Sequence, residues 1–146
     1  MTTSFLDRPT GRLAYELTGD PNGPLVVLSP GMGDLRSTFD GLAERLAADG
    51  AQVVNADLRG HGESSTGWDA YGVSAVADDL LALLHAHGGR GVLVGNSYSG
   101  SAAVIAAARE PEAVSGLVLA GACTLGSSGV VCWWVPSSVV IRASAS

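Results

Sequence analysis

A serine hydroxyl is a poor nucleophile unless the fold exposes it beside a base and sets hydrogen-bond donors where negative charge will develop. Three stretches of this 146-residue chain have residue types and spacing suited to that task. The first is GNSYSG, Gly95 to Gly100, directly after the apolar run Val92, Leu93, Val94. A serine on a sharp strand-to-helix turn projects out of a sheet, and its neighbours must be tiny because helix and strand pass close together. Gly95 and Ser99 meet that demand, which makes Ser97 the candidate nucleophile. In a chain with 20 glycines, a serine in an ordinary turn is the alternative reading of the hexapeptide alone.

The second stretch is SPGMGD, Ser29 to Asp34, where Gly31 and Gly33 let the backbone turn so that an amide can point at a bound carbonyl oxygen. Met32 would lend its N–H, and Tyr98 would lend the other from the start of the helix after Ser97. By itself this segment reads equally as a plain Pro-Gly turn. The third is DLRGHGES, Asp57 to Ser64, too rich in glycine and charge to be anything but a loop.

The elements around these stretches place all three at strand ends. Residues 12–17 pair as a strand with the segment around Phe5 through the turn Arg8-Pro9-Thr10-Gly11. Leu25 to Leu28 form a continuous apolar run, as expected of a parallel strand covered on both faces, and it empties into SPGMGD. Phe39, Leu42, Ala43, Leu46 and Ala47 lie on one helical stripe, with Ser37 or Thr38 placed to cap it and Gly50 to stop it. Residues 51–56 give the next strand, which ends at DLRGHGES. Val73, Val76, Ala77, Leu80, Leu81 and Leu84 repeat the stripe up to Gly88-Gly89. The Val92 strand, a helix over 98–109, the Pro111 stop and a strand over 114–120 complete the series. Strands alternating with helices predict an α/β fold with a mostly parallel sheet and flanking helices.

Composition narrows the function classes. An apolar content of 47% suffices for a core, while the net charge of −6, from eight arginines without a lysine and 14 acidic groups, offers no basic stripe for nucleic acid. The acidic balance also argues against anionic membranes as partners. No apolar run sits behind a positive cluster at the N-terminus, so a cytoplasmic location is the expectation. Cys123 and Cys132 lack Cys-x-x-Cys spacing and a nearby histidine, so two free, partly buried thiols are expected, with no metal site and no cofactor.

Taken together, PGMG, then D-x-R-G-H-G-x-S, then G-N-S-x-S-G, each at a strand end and in this order, resemble the opening half of the α/β-hydrolase family, in its serine esterase, lipase and haloperoxidase-like branch. The resemblance covers about residues 5–121. It implies Ser97 as nucleophile, Met32 and Tyr98 as oxyanion-hole donors, and Asp57, Arg59, His61 and Ser64 as a structural loop beside the site rather than a source of the base. The implied chemistry is hydrolysis of an ester-like small-molecule acyl substrate through an acyl-enzyme. Ser99 departs from the family, which most often has glycine there.

A larger departure follows Ser97. The family's triad runs Ser, then Asp or Glu, then His, but no histidine or aspartate follows Ser97, and the only later carboxylates are Glu110 and Glu112. At ~1.5 Å per residue, the intervening helix carries them about 18 Å from the serine. His85 and His87, beside Gly88-Gly89, are expected as solvated helix-end residues. The chain also changes character: all 14 acidic groups precede residue 113, and only Arg142 is charged after it. Residues 1–121 are therefore expected to be the N-terminal part of a hydrolase domain and 122–146 an irregular apolar, serine-rich tail. The expectation is a truncated, catalytically incomplete core, for which a shifted reading frame near Cys123 and a genuine tail are the two open origins, with an inactive fragment or acyl-ligand binder as the alternative. A membrane anchor over 113–141 is disfavoured by the serines, glycines and Pro136 within it. Truncation would leave the 114–120 strand an open edge, inviting self-association.

Overall fold

The computed structural model describes residues 2–121 in full and, beyond them, the backbone of 123–126, 129–132 and 139–141. Strands β1 (Thr3–Arg8) and β2 (Gly11–Gly19) form an antiparallel hairpin that turns at Pro9-Thr10. The remaining strands of the main sheet are β3 (Leu25–Ser29), β4 (Gln52–Ala56), β5 (Gly91–Asn96), β6 (Val114–Ala120) and β9 (Val139–Ile141). Their spatial order is β1-β2-β4-β3-β5-β6-β9, with β4, β3, β5 and β6 mutually parallel and antiparallel strands on both sides. A separate hairpin joins β7 (Cys123–Gly126) to β8 (Gly129–Cys132), with Cys123 and Cys132 as register partners. The cysteine side chains, and hence the expected free thiols, lie outside the described residues.

Side chains alternate across a strand, and β3 shows the result. Leu25 and Val27 join the core under helices α2 (Val73–Ala86) and α3 (Tyr98–Arg109). Val26 and Leu28 join a second core with Ala43, on the face carrying helix α1 (Asp40–Ala48). Ala102, Ala103 and Ala106 of α3 are fully buried, and their small size lets the helix lie close to the sheet. Both strand faces are covered, which is why this strand has no polar alternation.

The expected elements are present, with three corrections. Neither Ser37 nor Thr38 caps α1: both fall in a 3-10 turn (Arg36–Phe39), and α1 begins after Phe39 without a side-chain cap. The apolar stripe of α2 also carries Asp79, which is 3% exposed because arginines outside the helix neutralise it. Finally, β6 is not an open edge throughout. β9 pairs antiparallel with Leu117 to Leu119, so the outermost strand on that side is β9.

Candidate active site

Because β4, β3 and β5 are adjacent and parallel, their C-terminal ends open on the same side, and the three stretches meet there. Ser29 at the end of β3 is the register partner of Gly95 on β5. A Cβ on Gly31 would lie 3.5 Å from Asn96 Nδ2 and 3.6 Å from Asn96 O, so the SPGMGD turn rests against the residue preceding Ser97.

Ser97 sits between β5 and α3 at φ 51° and ψ −110°, the one non-glycine residue with positive φ among the described residues. Such backbone costs ~1–3 kcal/mol and persists only where its surroundings over-determine it. Those surroundings are visible. The Ser97 N–H donates to Ala120 O of β6 at 2.8 Å, and its carbonyl accepts the Gly100 and Ser101 amides at 3.0 and 3.3 Å. Gly95 is obligatory: a Cβ there would meet Gly100 N and Ser99 O at 2.6 Å. The backbone of Ser97 is thus pinned, while its half-buried hydroxyl has no hydrogen-bond partner among the described residues.

Gly31 to Asp34 form a β-turn closed by Asp34 N–H on Gly31 O at 3.0 Å, with Gly33 at φ +87°. This is the type II geometry that favours glycine at its third position. Met32, at the second position, is 65% exposed. The N–H groups of Met32 and of Tyr98, the first residue of α3, are unpaired among the described residues. The Tyr98 phenol donates to Tyr71 O, and burial pushes it above its usual range.

The DLRGHGES loop works as a brace. Buried Asp57 accepts the Arg36 N–H at 2.8 Å, the Arg36 guanidinium and the Glu63 N–H at 3.2 Å. Burial alone would lower the Arg36 pKa, but the Glu63 hydrogen bond and the charge of Asp57 outweigh it and raise the value. The same pairing holds exposed Glu63 below its usual range. Ser64 Oγ donates to Asp57 O and accepts Ala14 N–H, tying the loop to β2. Arg59 reaches away from the serine. It donates to Asp79 at 2.8 and 2.7 Å, stacks over Trp68 at 4.3 Å and is raised above its ordinary value chiefly by Asp79.

All three histidines are accounted for. His61 Nε2 accepts the Gly33 N–H at 2.9 Å, so its Nδ1 carries the proton and donates to Arg59 O at 3.1 Å. His85 pairs with Glu110 at the far end of α3. His87 differs from its expected solvated state: it is half-buried edge-on to Tyr15, its Nε2 has no partner, and burial lowers its pKa. Sequence reasoning missed Arg36 and Asp79, since nothing in a charge's spacing reveals that its partner lies on another element. Among the described residues, no cluster of His, Cys, Asp or Glu could hold a metal ion. No helix of these residues is long and apolar enough to cross a membrane.

A nucleophile-elbow geometry beside a glycine turn, at the C-terminal ends of a parallel sheet, defines an α/β-hydrolase-type site. The family model for the alpha/beta hydrolase fold matches residues 24–133, and the chain belongs to that family. It is 31% identical to a 2-(acetamidomethylene)succinate hydrolase of Mesorhizobium japonicum, over 74% of this chain and 39% of that protein. It is 33% identical to the sn-1-specific diacylglycerol lipase ABHD11 of Mus musculus, over 80% of this chain and 38% of that one. A solved hydrolase structure from Pseudomonas aeruginosa superposes with a TM-score of 0.78 at 32% identity, covering 86% of this chain and 48% of the other. The chain therefore spans less than half the length of these relatives, which are hydrolases.

Proposed function

We propose that this chain carries the nucleophile half of a serine hydrolase acting on ester-like small-molecule acyl substrates. The observation that supports it best is Ser97 in a strained elbow, its hydroxyl without a partner among the described residues, beside a turn whose Met32 amide is likewise unpaired among them. In this reading Ser97 Oγ attacks the acyl carbonyl, and the Met32 and Tyr98 N–H groups hold the oxygen as it becomes an oxyanion. The leaving alkoxide takes a proton from solvent, and water then cleaves the acyl-enzyme to the free acid and restores the serine hydroxyl. The serine's own proton needs an acceptor. His61 Nε2 spends its lone pair on Gly33, and His85 and Glu110 pair at the other end of α3. In this reading no histidine among the described residues is placed to take that proton, and ~10³ to 10⁴ over water is the ceiling that nucleophile surroundings alone retain.

A fluorophosphonate serine probe tests the proposal: it should label the wild type, slowly, and not Ser97→Ala. A folded wild type that resists labelling would favour the second reading, an inactive acyl-ligand binder, to which the engagement of His61 and His85 also points. As a further partner we propose a second copy of this chain along the sheet edge at β9 and the uncovered residues of β6. Sedimentation velocity should then show association that grows with concentration; a monomer at all concentrations would count against it.

A further inference from the structure

We infer that His61 and Ser99 are positioning residues that together fix the oxyanion turn, an inference that rests on the proposed role of the Met32 amide. The turn contains two glycines, Gly31 and Gly33, so its peptide planes are free to flip at little steric cost. Three bonds remove that freedom plane by plane. Ser99, fully buried, donates its hydroxyl to Pro30 O and takes a hydrogen bond from Ser29 Oγ at 2.8 Å, which fixes the Pro30-Gly31 peptide. The turn bond from Asp34 N–H fixes Gly31 O. A trans peptide points its N–H in the plane opposite to its carbonyl, so the Met32 N–H is directed away from that turn bond, unpaired among the described residues. His61 Nε2 accepts Gly33 N–H at 2.9 Å and fixes the Met32-Gly33 peptide. In a type I turn that last plane is inverted, and the His61 bond would be lost.

The two side chains reach the turn from different motifs. Ser99 stands in the elbow helix, at the position where the resemblance leads one to expect glycine, and its hydroxyl is what a glycine could not supply. His61 stands in the Asp57 loop, and its tautomer is set by Arg59 O at 3.1 Å. The imidazole that invites assignment as the base is instead an acceptor for the loop that carries the oxyanion donor.

Two independent readouts test this. In the wild type, imidazole ¹⁵N shifts should show a neutral ring protonated at Nδ1, and the Gly33 amide should exchange slowly with solvent. Protection should be lost in His61→Ala and regained in His61→Gln, whose side-chain carbonyl restores an acceptor. Ser99→Ala should raise exchange of the paired Gly33 and Asp34 amides with the rest of the sheet unchanged. Fluorophosphonate labelling of Ser97 should fall roughly tenfold or more in His61→Ala and Ser99→Ala, and recover in His61→Gln, as expected when a donor is misplaced by about 1 Å. A ring protonated at Nε2, a Gly33 amide unprotected in the wild type, or labelling equal in all variants would overturn the inference. Failure of the wild type to label at all would overturn the nucleophile reading instead, leaving the exchange and ¹⁵N data to decide how the turn is held.

Discussion

At the C-terminal ends of β4, β3 and β5, the buried Asp57, Arg59 and Ser99 pair with Arg36, with Asp79, and with Ser29 and Pro30, and the half-buried His61 pairs with Gly33 and Arg59, although Arg36 Nε has no partner among the described residues. Around the far ends of α2 and α3 the same residue types behave otherwise. His85 and Glu110 form an exposed pair, and His87 leaves its Nε2 unpartnered against Tyr15. The difference is one of desolvation. An exposed ion pair is screened and contributes little, whereas a buried charge deprived of its partner is costly. The strand-end region therefore has its loop geometry enforced, whereas the His85–Glu110 pair at the opposite region is screened by solvent.

Three measurements bear on that contrast. Asp79→Ala strands Arg59, whose side chain is 7% exposed, and removes the partner of Arg8, so denaturant unfolding should show a loss of about 3–5 kcal/mol. A change under about 1 kcal/mol would mean that water already compensates Arg59 and would erase the contrast. His87 gives a smaller, pH-dependent effect. Its folded pKa lies below the ordinary imidazole value, so the unfolded chain binds the extra proton first as pH falls. The stability contributed by its neutral form is complete above the ordinary imidazole pKa, about 6.5, and declines as the pH falls below it. A thermal midpoint recorded across that window should fall less steeply in His87→Phe than in the wild type, and identical slopes would show that His87 does not contribute. The smallest effect belongs to His85→Ala, since its side chain is 53% and that of Glu110 42% exposed. Its unfolding free energy should stay within about 0.5 kcal/mol of the wild type.

Much of this was legible along the chain because it rests on local pattern. The stripe of α2 and the unbroken run of β3 report which faces are covered, and Gly95 and Gly33 mark positions where a Cβ or a negative φ is excluded. The failures share a cause. Ser37 and Thr38 have the right side chains for a cap, but Arg36 is drawn onto Asp57, and the segment enters α1 through a 3-10 turn. Asp79 looks like a polar interruption of an apolar helix until Arg59 and Arg8 are brought to it from two other elements.

By itself the sequence determined the alternation of strands and helices, the order of three motifs at strand ends, and the lack of any histidine or aspartate after Ser97. Those follow from periodicity and composition, which are properties of neighbours in the chain. Only the tertiary structure decided what Ser99 and His61 do, because a hydroxyl's or an imidazole's role depends on which acceptor or donor lies within about 3 Å. Ser99 and Pro30 are separated by 69 positions, and His61 and Gly33 by 28, distances that folding alone closes.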